Sequence, residues 1–547
     1  MNHYLNFIEH TIKNYWDSPA LSDYGTSYSL TYGQMAQKIA ALHIMFEEAG
    51  IKKGDKIALC GRNSANWAVC FMAVTTYEAV AVSILAEFSA ESVHSLVNHS
   101  DAKLFLVGDM VYKNLDPKAM PNLTGIVCMQ NFEVLNSGNE KLKKACKNLD
   151  VVFAEKYADG FGPVDVKYPQ DNWDKPALIN YTSGTTSDPK GVVLSYKAIS
   201  SNIQFGQDGI ANQPGWSMVS MLPLAHMFGL AFELLYQLAG GCHVYFLGKT
   251  PSPQVLLKAF ADVHPYMVLT VPLVIEKIFQ KAIFPTINKP MVKALWYTPG
   301  VNIPLRRRVR DGIINKFGGN LKYLIIGGAA LNHDVEKCLK QIEFPYTVGY
   351  GMTECGPILG YEHWTNFKER SCGKAVDRMQ VAVDSPNQRK IVGEILVKGD
   401  NLMTEYYKNP DATKAVFTED GWLRTGDLGI IDREGNIFIR GRNKSVIIGA
   451  SGQNIYPEEI EGKLNNMPGV SESIVVDRAG KLTALIFPDL KALQEELASK
   501  SIEDILENIK LQVNRMIPAF CRLSSIEKVD KEFEKTPKRS IKRFLYK

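Results

Sequence analysis

The sequence predicts an α/β protein. A large N-terminal domain of several subdomains, with parallel sheets and one small β-rich part, precedes a smaller C-terminal α+β domain. Three observations carry this. Short apolar runs alternate with longer helical ones, as in KIALC, WAVCFMAVTTYEAV and AVSIL, and again in LIIGG followed by HDVEKCLKQI. Strands joined through helices build parallel sheets. After about Gly393 the alternation weakens, and GEILVKGD and GIIDREGNIFIRGR read as hairpins, with Asp432–Asn436 as a turn. From Lys444 a compact unit restarts: a strand, helix PEEIEGKLNNM, strands ESIVVD and KLTALIF, and helix EDILENIKLQVNRM. The two domains are expected at 1–441 and 442–547.

The chain has 547 residues, 46% of them hydrophobic, enough for more than one packed core. Its formal charge of +4 points to no nucleic-acid partner. The nine cysteines form no CxxC pair, so neither a disulfide framework nor a zinc site is expected. The opening MNHYLNFIEHTIKNYW does not read as a signal peptide, and no run of 18 apolar residues is present. A cytoplasmic location is the expectation.

The stretch Tyr181–Gly191, YTSGTTSDPKG, places five hydroxyl side chains (Tyr181, Thr182, Ser183, Thr185, Thr186), Gly184, Pro189 and Lys190 in eleven residues. Between the apolar runs PALI and VVLSY it reads as a polar loop joining two buried strands. Hydroxyls, backbone N–H groups and one ammonium can converge there on a polyphosphate. A plain Ser/Thr-rich turn is the alternative. The spacing GxxxxGK[ST] is absent.

Four further segments follow in order: GYGMTECGP (Gly349–Pro357), GWLRTGDLG (Gly421–Gly429), GRNKSVIIGASGQNIYPEEIE (Gly441–Glu461) and KTPKRSIKR (Lys535–Arg543). With YTSGTTSDPKG, and with LTYGQMAQKIA (Leu30–Ala40) and GDKIAL (Gly54–Leu59), they resemble the motifs of the adenylate-forming (AMP-binding) superfamily. That superfamily includes acyl-CoA synthetases, luciferases and peptide-synthetase adenylation domains. The resemblance covers nearly the whole chain and is nearest the bacterial long-chain acyl-CoA synthetases. Ser187 departs from it, standing where the loop most often has a second glycine.

The resemblance implies the following roles. Thr182, Ser183, Gly184, Thr185, Thr186 and Lys190 hold the departing phosphates. Glu354 holds Mg²⁺, a hard cation that takes oxygen ligands. Thr353 touches the α-phosphate, Tyr350 stacks on the adenine, and Gly351 and Met352 complete that wall. Gly328 and Ala329, in IIGGAAL, let the backbone approach the adenine and the acyl carbonyl. Asp427 accepts the ribose hydroxyls with Arg442 as its partner, and Lys444 is the swivel of a mobile C-terminal domain. His226, in LPLAHMFG, lines the carboxylate and thioester site, although a lone histidine among apolar neighbours is also an ordinary core residue. Cys355 reads as a packing residue, not a nucleophile.

The final motif departs at its key position: relatives carry a lysine where this chain has Ser540. Lys538 and Lys542 lie two residues to either side, on the same face of an extended segment, and either is a candidate substitute.

The implied reaction is ATP-dependent activation of a carboxylic acid to an acyl-adenylate, then transfer to CoA with release of AMP and pyrophosphate. Ala225–Gly241 contains no aspartate to pair with a substrate ammonium; its only acid is Glu233. An unpaired ammonium in an apolar pocket is costly, so a fatty or aryl acid is favoured, with Met227, Phe228, Leu230 and Phe232 as wall material. A carrier protein in place of CoA, or nucleotide binding with weak catalysis, are the alternatives. Chain length, oligomeric state and peripheral membrane association stay open.

Overall fold

The computed structural model describes all residues except 183–188, 250, 449–452, 479, 491, 536–540 and 547, and except the side chains at 281, 282, 495 and 496. Two large sheets organise the N-terminal domain. The eight-stranded one runs, edge to edge, Glu405–Tyr406, Lys190–Ser195, Pro176–Thr182, Val80–Ile84, Lys56–Cys60, Ala102–Val107, Gly125–Cys128 and Val134–Ser137. Its centre is parallel, and its edges turn antiparallel through the pairings of Lys190–Ser195 and Val134–Ser137. The seven-stranded sheet runs Tyr346–Val348, Tyr323–Ile326, Met267–Thr270, Ser217–Ser220, His243–Phe246, Pro19–Asp23 and Ser29–Thr31, parallel until its last pair.

The helix Ala65–Thr76 shows why the central runs are so apolar. It is capped by Ser64, whose hydroxyl accepts the Trp67 N–H, and every one of its residues is buried. It contacts strands of both large sheets, so it has no solvent face to be polar on. The strand Val80–Ile84 is likewise buried on both faces.

A four-stranded antiparallel sheet follows: Met379–Asp384, Gly393–Gly399, Leu423–Ile431 and Ile437–Arg442. It is the expected β-rich part, but it starts earlier than Gly393. Met379–Asp384 pairs along its whole length with Gly393–Gly399, although only two of its residues are buried. An edge strand with a mostly solvated face carries a weak apolar pattern, which is why the first strand escaped the sequence reading. The expected turn at Asp432–Asn436 forms: Asp432 Oδ1 accepts the N–H groups of Glu434 and Asn436.

The C-terminal unit packs helices Pro457–Leu464 and Ile502–Met516 on the sheet Val470–Arg478, Lys481–Pro488 and Ser525–Lys528 around its own apolar cluster. Between the domains lies the exposed turn Asn443–Ser445. Arg442 pairs in register with Asp427 and so belongs to the N-terminal sheet.

The C-terminal domain is closed by a buried ion pair. Arg543 reaches both oxygens of Glu461, and Glu461 Oε1 also accepts the Val475 N–H at 2.7 Å. Burial pushes the Glu461 carboxyl up while Arg543 pulls it back. Arg543→Ala leaves a buried carboxyl alone and should destabilise this domain by about 3 kcal/mol. Without the guanidinium the folded-state pKa of Glu461 rises further. A raised carboxyl loses stability as pH climbs above its unfolded value, so the deficit should grow as pH rises past the range in which an exposed glutamate titrates. Hydrogen exchange of the amides in Val470–Pro488 measures both effects.

Candidate active site

The loop between Pro176–Thr182 and Lys190–Ser195 is the turn of an antiparallel hairpin. Ser183, Gly184, Thr185 and Thr186 lie outside the described residues. The two hydroxyls at its base do not face a ligand. Tyr181 is buried with its hydroxyl 2.7 Å from His99 Nδ1, and the Thr182 hydroxyl donates to the Lys190 carbonyl at 3.4 Å. Tyr181 thus leaves the set of phosphate-holding hydroxyls that the sequence suggested: the strand's alternation turns it into the sheet.

Lys190 opens the next strand, and its Nζ sits 4.6 Å from the centre of the Tyr406 ring. Tyr406 is held there by the short strand Glu405–Tyr406, which pairs with Lys190–Ser195. The Tyr406 hydroxyl donates to Glu354 Oε1 at 2.9 Å. Sequence reasoning missed Tyr406. It lies in no recognisable motif, and only the sheet edge brings it between Lys190 and Glu354.

Glu354 sits in a short turn, Thr353–Cys355, that is pinned from behind. The side chain of Asn202 accepts the Ile358 N–H at 2.9 Å and donates to the Cys355 carbonyl at 3.4 Å. Gly351 is required here, since a Cβ on it would lie 2.2 Å from the Pro357 carbonyl oxygen. Glu354 is half-buried, and among the described residues its Oε2 takes no hydrogen bond. That open hard oxygen fits Mg²⁺. The Thr353 hydroxyl is buried and, among the described residues, has no hydrogen-bond partner, the one such hydroxyl in GYGMTE. A buried hydroxyl left unmatched is costly, and a phosphate oxygen would satisfy it. Cys355 is buried and its thiol is pushed far above its ordinary pKa, so it is no nucleophile.

Asp427 meets the same motif through Tyr350. It accepts the Tyr350 hydroxyl at 2.8 Å on Oδ2 and lies 3.2 Å from Arg442 Nε through Oδ1. Thr425 positions it, accepting the Asp427 N–H at 3.1 Å while donating to the Ile395 carbonyl at 2.8 Å. Burial pushes the Asp427 carboxyl up, against the pull of Arg442 and Tyr350.

The wall opposite comes from the seven-stranded sheet. Gly328, at φ 89°, leaves the strand Tyr323–Ile326 in a conformation that favours glycine, and Ala329 beside it is exposed. Phe228 lies against Gly327, with Cε1 3.1 Å from where a Cβ would stand, so the histidine segment borders this turn. His226 is half-buried at the start of that segment, and the neighbouring Ala225 carbonyl accepts Asn180 Nδ2 at 2.8 Å. Met352 is half-buried and Lys444 exposed.

Lys538 and Ser540 lie outside the described residues. Lys542 Nζ sits 3.5 Å from Glu534, within its own domain.

Asp427→Ala removes the acceptor for two donors and for a ribose. The loss of a charged hydrogen bond costs about 1.5–3 kcal/mol, so ATP binding should weaken by about 10- to 150-fold in a calorimetric titration. Unchanged affinity would take Asp427 out of the site.

The family model described as AMP-binding enzyme matches residues 8–407, and the model described as AMP-binding enzyme C-terminal domain matches residues 444–546. Among curated relatives, long-chain-fatty-acid–CoA ligase FadD15 of Mycobacterium bovis is 26% identical, over 86% of this chain and 79% of its own length. The 4-coumarate–CoA ligase 3 of Arabidopsis thaliana is 26% identical, over 91% of this chain and 83% of its own. In fold, ATP-bound MatB from Rhodopseudomonas palustris superposes with a TM-score of 0.78 at 21% identity, covering 100% of this chain and 98% of that one. With both family models matched in order along its length, the chain belongs to the AMP-binding enzyme family.

Proposed function

We propose that the protein is an ATP-dependent acid–CoA ligase. It would activate a carboxylic acid that carries no amino group, in the medium- or long-chain fatty range, and pass the acyl group to CoA. The observation that carries this is the buried, unpartnered Thr353 hydroxyl beside the open oxygen of Glu354. It supports a site that receives phosphate oxygens and a hard cation together. The acid–CoA ligases among the curated relatives support the choice of reaction.

In the first step a carboxylate oxygen attacks the α-phosphorus of ATP, the α–β bond breaks and pyrophosphate leaves. The work of the protein is positioning and charge neutralisation. Thr353 donates to an α-phosphate oxygen, Lys190 and the hydroxyls of Ser183, Thr185 and Thr186 follow the leaving phosphates, and Asp427 with Arg442 fixes the ribose. Glu354, its carboxylate directed by the Tyr406 hydroxyl, would hold a Mg²⁺ ion that would supply further neutralisation of the phosphates. We assign the terminal lysine function to Lys538 or Lys542 in place of Ser540. Lys542 would have to leave Glu534 to perform it. In the second step the CoA sulfur attacks the acyl carbonyl, beside His226, and AMP departs.

The choice of an acid without an amine rests on Glu233. It is fully buried, and its Oε2 accepts the Ser220 hydroxyl and the N–H groups of Met221 and Leu222, each at 3.0 Å. Burial pushes its carboxyl well up, and its Oε2 is taken by three local donors, which disfavours pairing with a substrate ammonium. Leu230 and Phe232 are buried in the main core, which leaves half-buried Phe228 as the wall residue.

ATP–pyrophosphate exchange over straight-chain acids from acetate to palmitate tests the reading. Exchange should be strongest with the longer acids, absent with amino acids, and about 10- to 100-fold lower in Glu354→Gln. Exchange confined to amino acids, or undiminished in that variant, would overturn it.

We place the domain swivel at Lys444, in the exposed turn Asn443–Ser445. Contacts flank it: Arg440 lies 3.6 Å from Glu459, and Gly441 abuts Tyr456 and Glu458. Lys444→Pro fixes φ and should leave adenylate formation intact while thioester output falls by tenfold or more, to order of magnitude. Equal retention of both steps would contradict a hinge there.

A further inference from the structure

The helical pair Pro290–Tyr297 and Asn302–Lys316 has a composition unlike the rest of the chain. From Lys277 through Arg310 there are eight lysines and arginines and no acidic residue, a formal charge twice the +4 of the whole protein. Its tip is apolar and open to solvent: Met291 is 77% exposed, Tyr297 61% and Ile303 54%, with Leu295 and Val301 also exposed. Clusters of large exposed apolar side chains mark interaction surfaces.

The pair is fastened to the body from beneath. Trp296 is buried and donates to Gln341 Oε1 at 2.9 Å, and Arg306 lies over its ring while donating to its carbonyl at 3.0 Å. Arg310 is taken by Asp311 and Glu343. Among the described residues Lys289, Lys293, Arg307 and Arg308 have no acidic partner, and all four are exposed. No described helix is long and apolar enough to cross a membrane. An exposed apolar tip ringed by unpaired cations on a rigid mount suits insertion into a headgroup layer without spanning it.

We propose that this helical pair docks the enzyme on an anionic lipid surface, with Met291, Tyr297 and Ile303 entering the interface and Lys293, Arg307 and Arg308 meeting the headgroups. Charge complementarity selects an acidic bilayer as the occupant. The inference deepens the fatty-acid reading, because long acyl chains reside in bilayers, and rests on it for the purpose of docking though not for binding itself. The chain that leads to the pair starts with the helix Pro272–Ile278, next to Val271, whose Cγ1 would lie 3.8 Å from a Cβ on Gly328 at the active-site wall.

Vesicle flotation of the full chain, without ATP or acid, tests the surface independently of catalysis. The wild type should float with vesicles of phosphatidylcholine and phosphatidylglycerol, weakly with phosphatidylcholine alone, and should be released at about 1 M salt. Each basic residue near such a surface contributes about fivefold. Lys293→Glu/Arg307→Glu/Arg308→Glu should therefore lose about 100-fold or more in binding. Met291→Ser/Tyr297→Ser/Ile303→Ser should also lose binding, with pyrophosphate exchange on a water-soluble acid retained in both variants. Wild type that stays in solution, or variants that float as well as it does, would overturn the proposal. So would concentration-dependent dimerisation abolished by the same changes without any flotation, since the tip would then be a subunit interface.

Discussion

A buried carboxylate with a donor from each side holds the site together. Asp427 comes from the four-stranded sheet, Tyr350 from the segment that leaves the seven-stranded sheet, and Arg442 from the last strand before the inter-domain turn. Burial pushes this carboxyl up. The two donors oppose that, and in doing so they tie two strands of the four-stranded sheet and the segment leaving the seven-stranded sheet to one carboxylate. Thr425 fixes the carboxylate's backbone, so the geometry does not depend on a ligand.

The second cluster obeys the same logic with opposite consequences. Lys190, Tyr406 and Glu354 meet at a sheet edge where the parallel order has ended. Ending it there leaves one strand edge, and the short strand Glu405–Tyr406 covers it. Tyr406 takes one oxygen of Glu354 and leaves the other open, whereas Asp427 has both oxygens engaged. In the proposed reaction the open oxygen takes the metal and the engaged carboxylate takes a neutral sugar. Glu233 shows a third outcome. Deep in the core, its carboxyl is raised by burial and spent on three local donors.

Much of this was legible in the sequence for identifiable reasons. The central strands and the helix Ala65–Thr76 are apolar all round because they are buried all round. Thr353, Glu354, Asp427 and Arg442 stand in contiguous motifs, and contiguous motifs survive a reading that knows nothing of contacts. What was missed depends on contacts or on facing. Tyr181 carries a hydroxyl like its loop neighbours, but strand alternation turns it toward His99. Tyr406 is one tyrosine of a pair, and nothing along the chain says that it, not Tyr407, touches Glu354. Met379–Asp384 is mostly solvated, so its strand period is faint.

The C-terminal domain adds a constraint of its own. Arg543 is committed to Glu461 and Lys542 lies beside Glu534, so the final basic run is partly spent on fixing its own domain. The exposed Asn443–Ser445 turn then links two bodies, each with its own core. The central claim is that this site joins a carboxylate to AMP. Mass spectrometry of a reaction of the full chain with ATP, Mg²⁺ and mixed fatty acids, without CoA, tests it directly. The account predicts an acyl-adenylate and pyrophosphate in equal amounts, with the adenylate replaced by acyl-CoA and AMP when CoA is added. ADP and phosphate as the products, or ATP left unchanged with every acid, would contradict it.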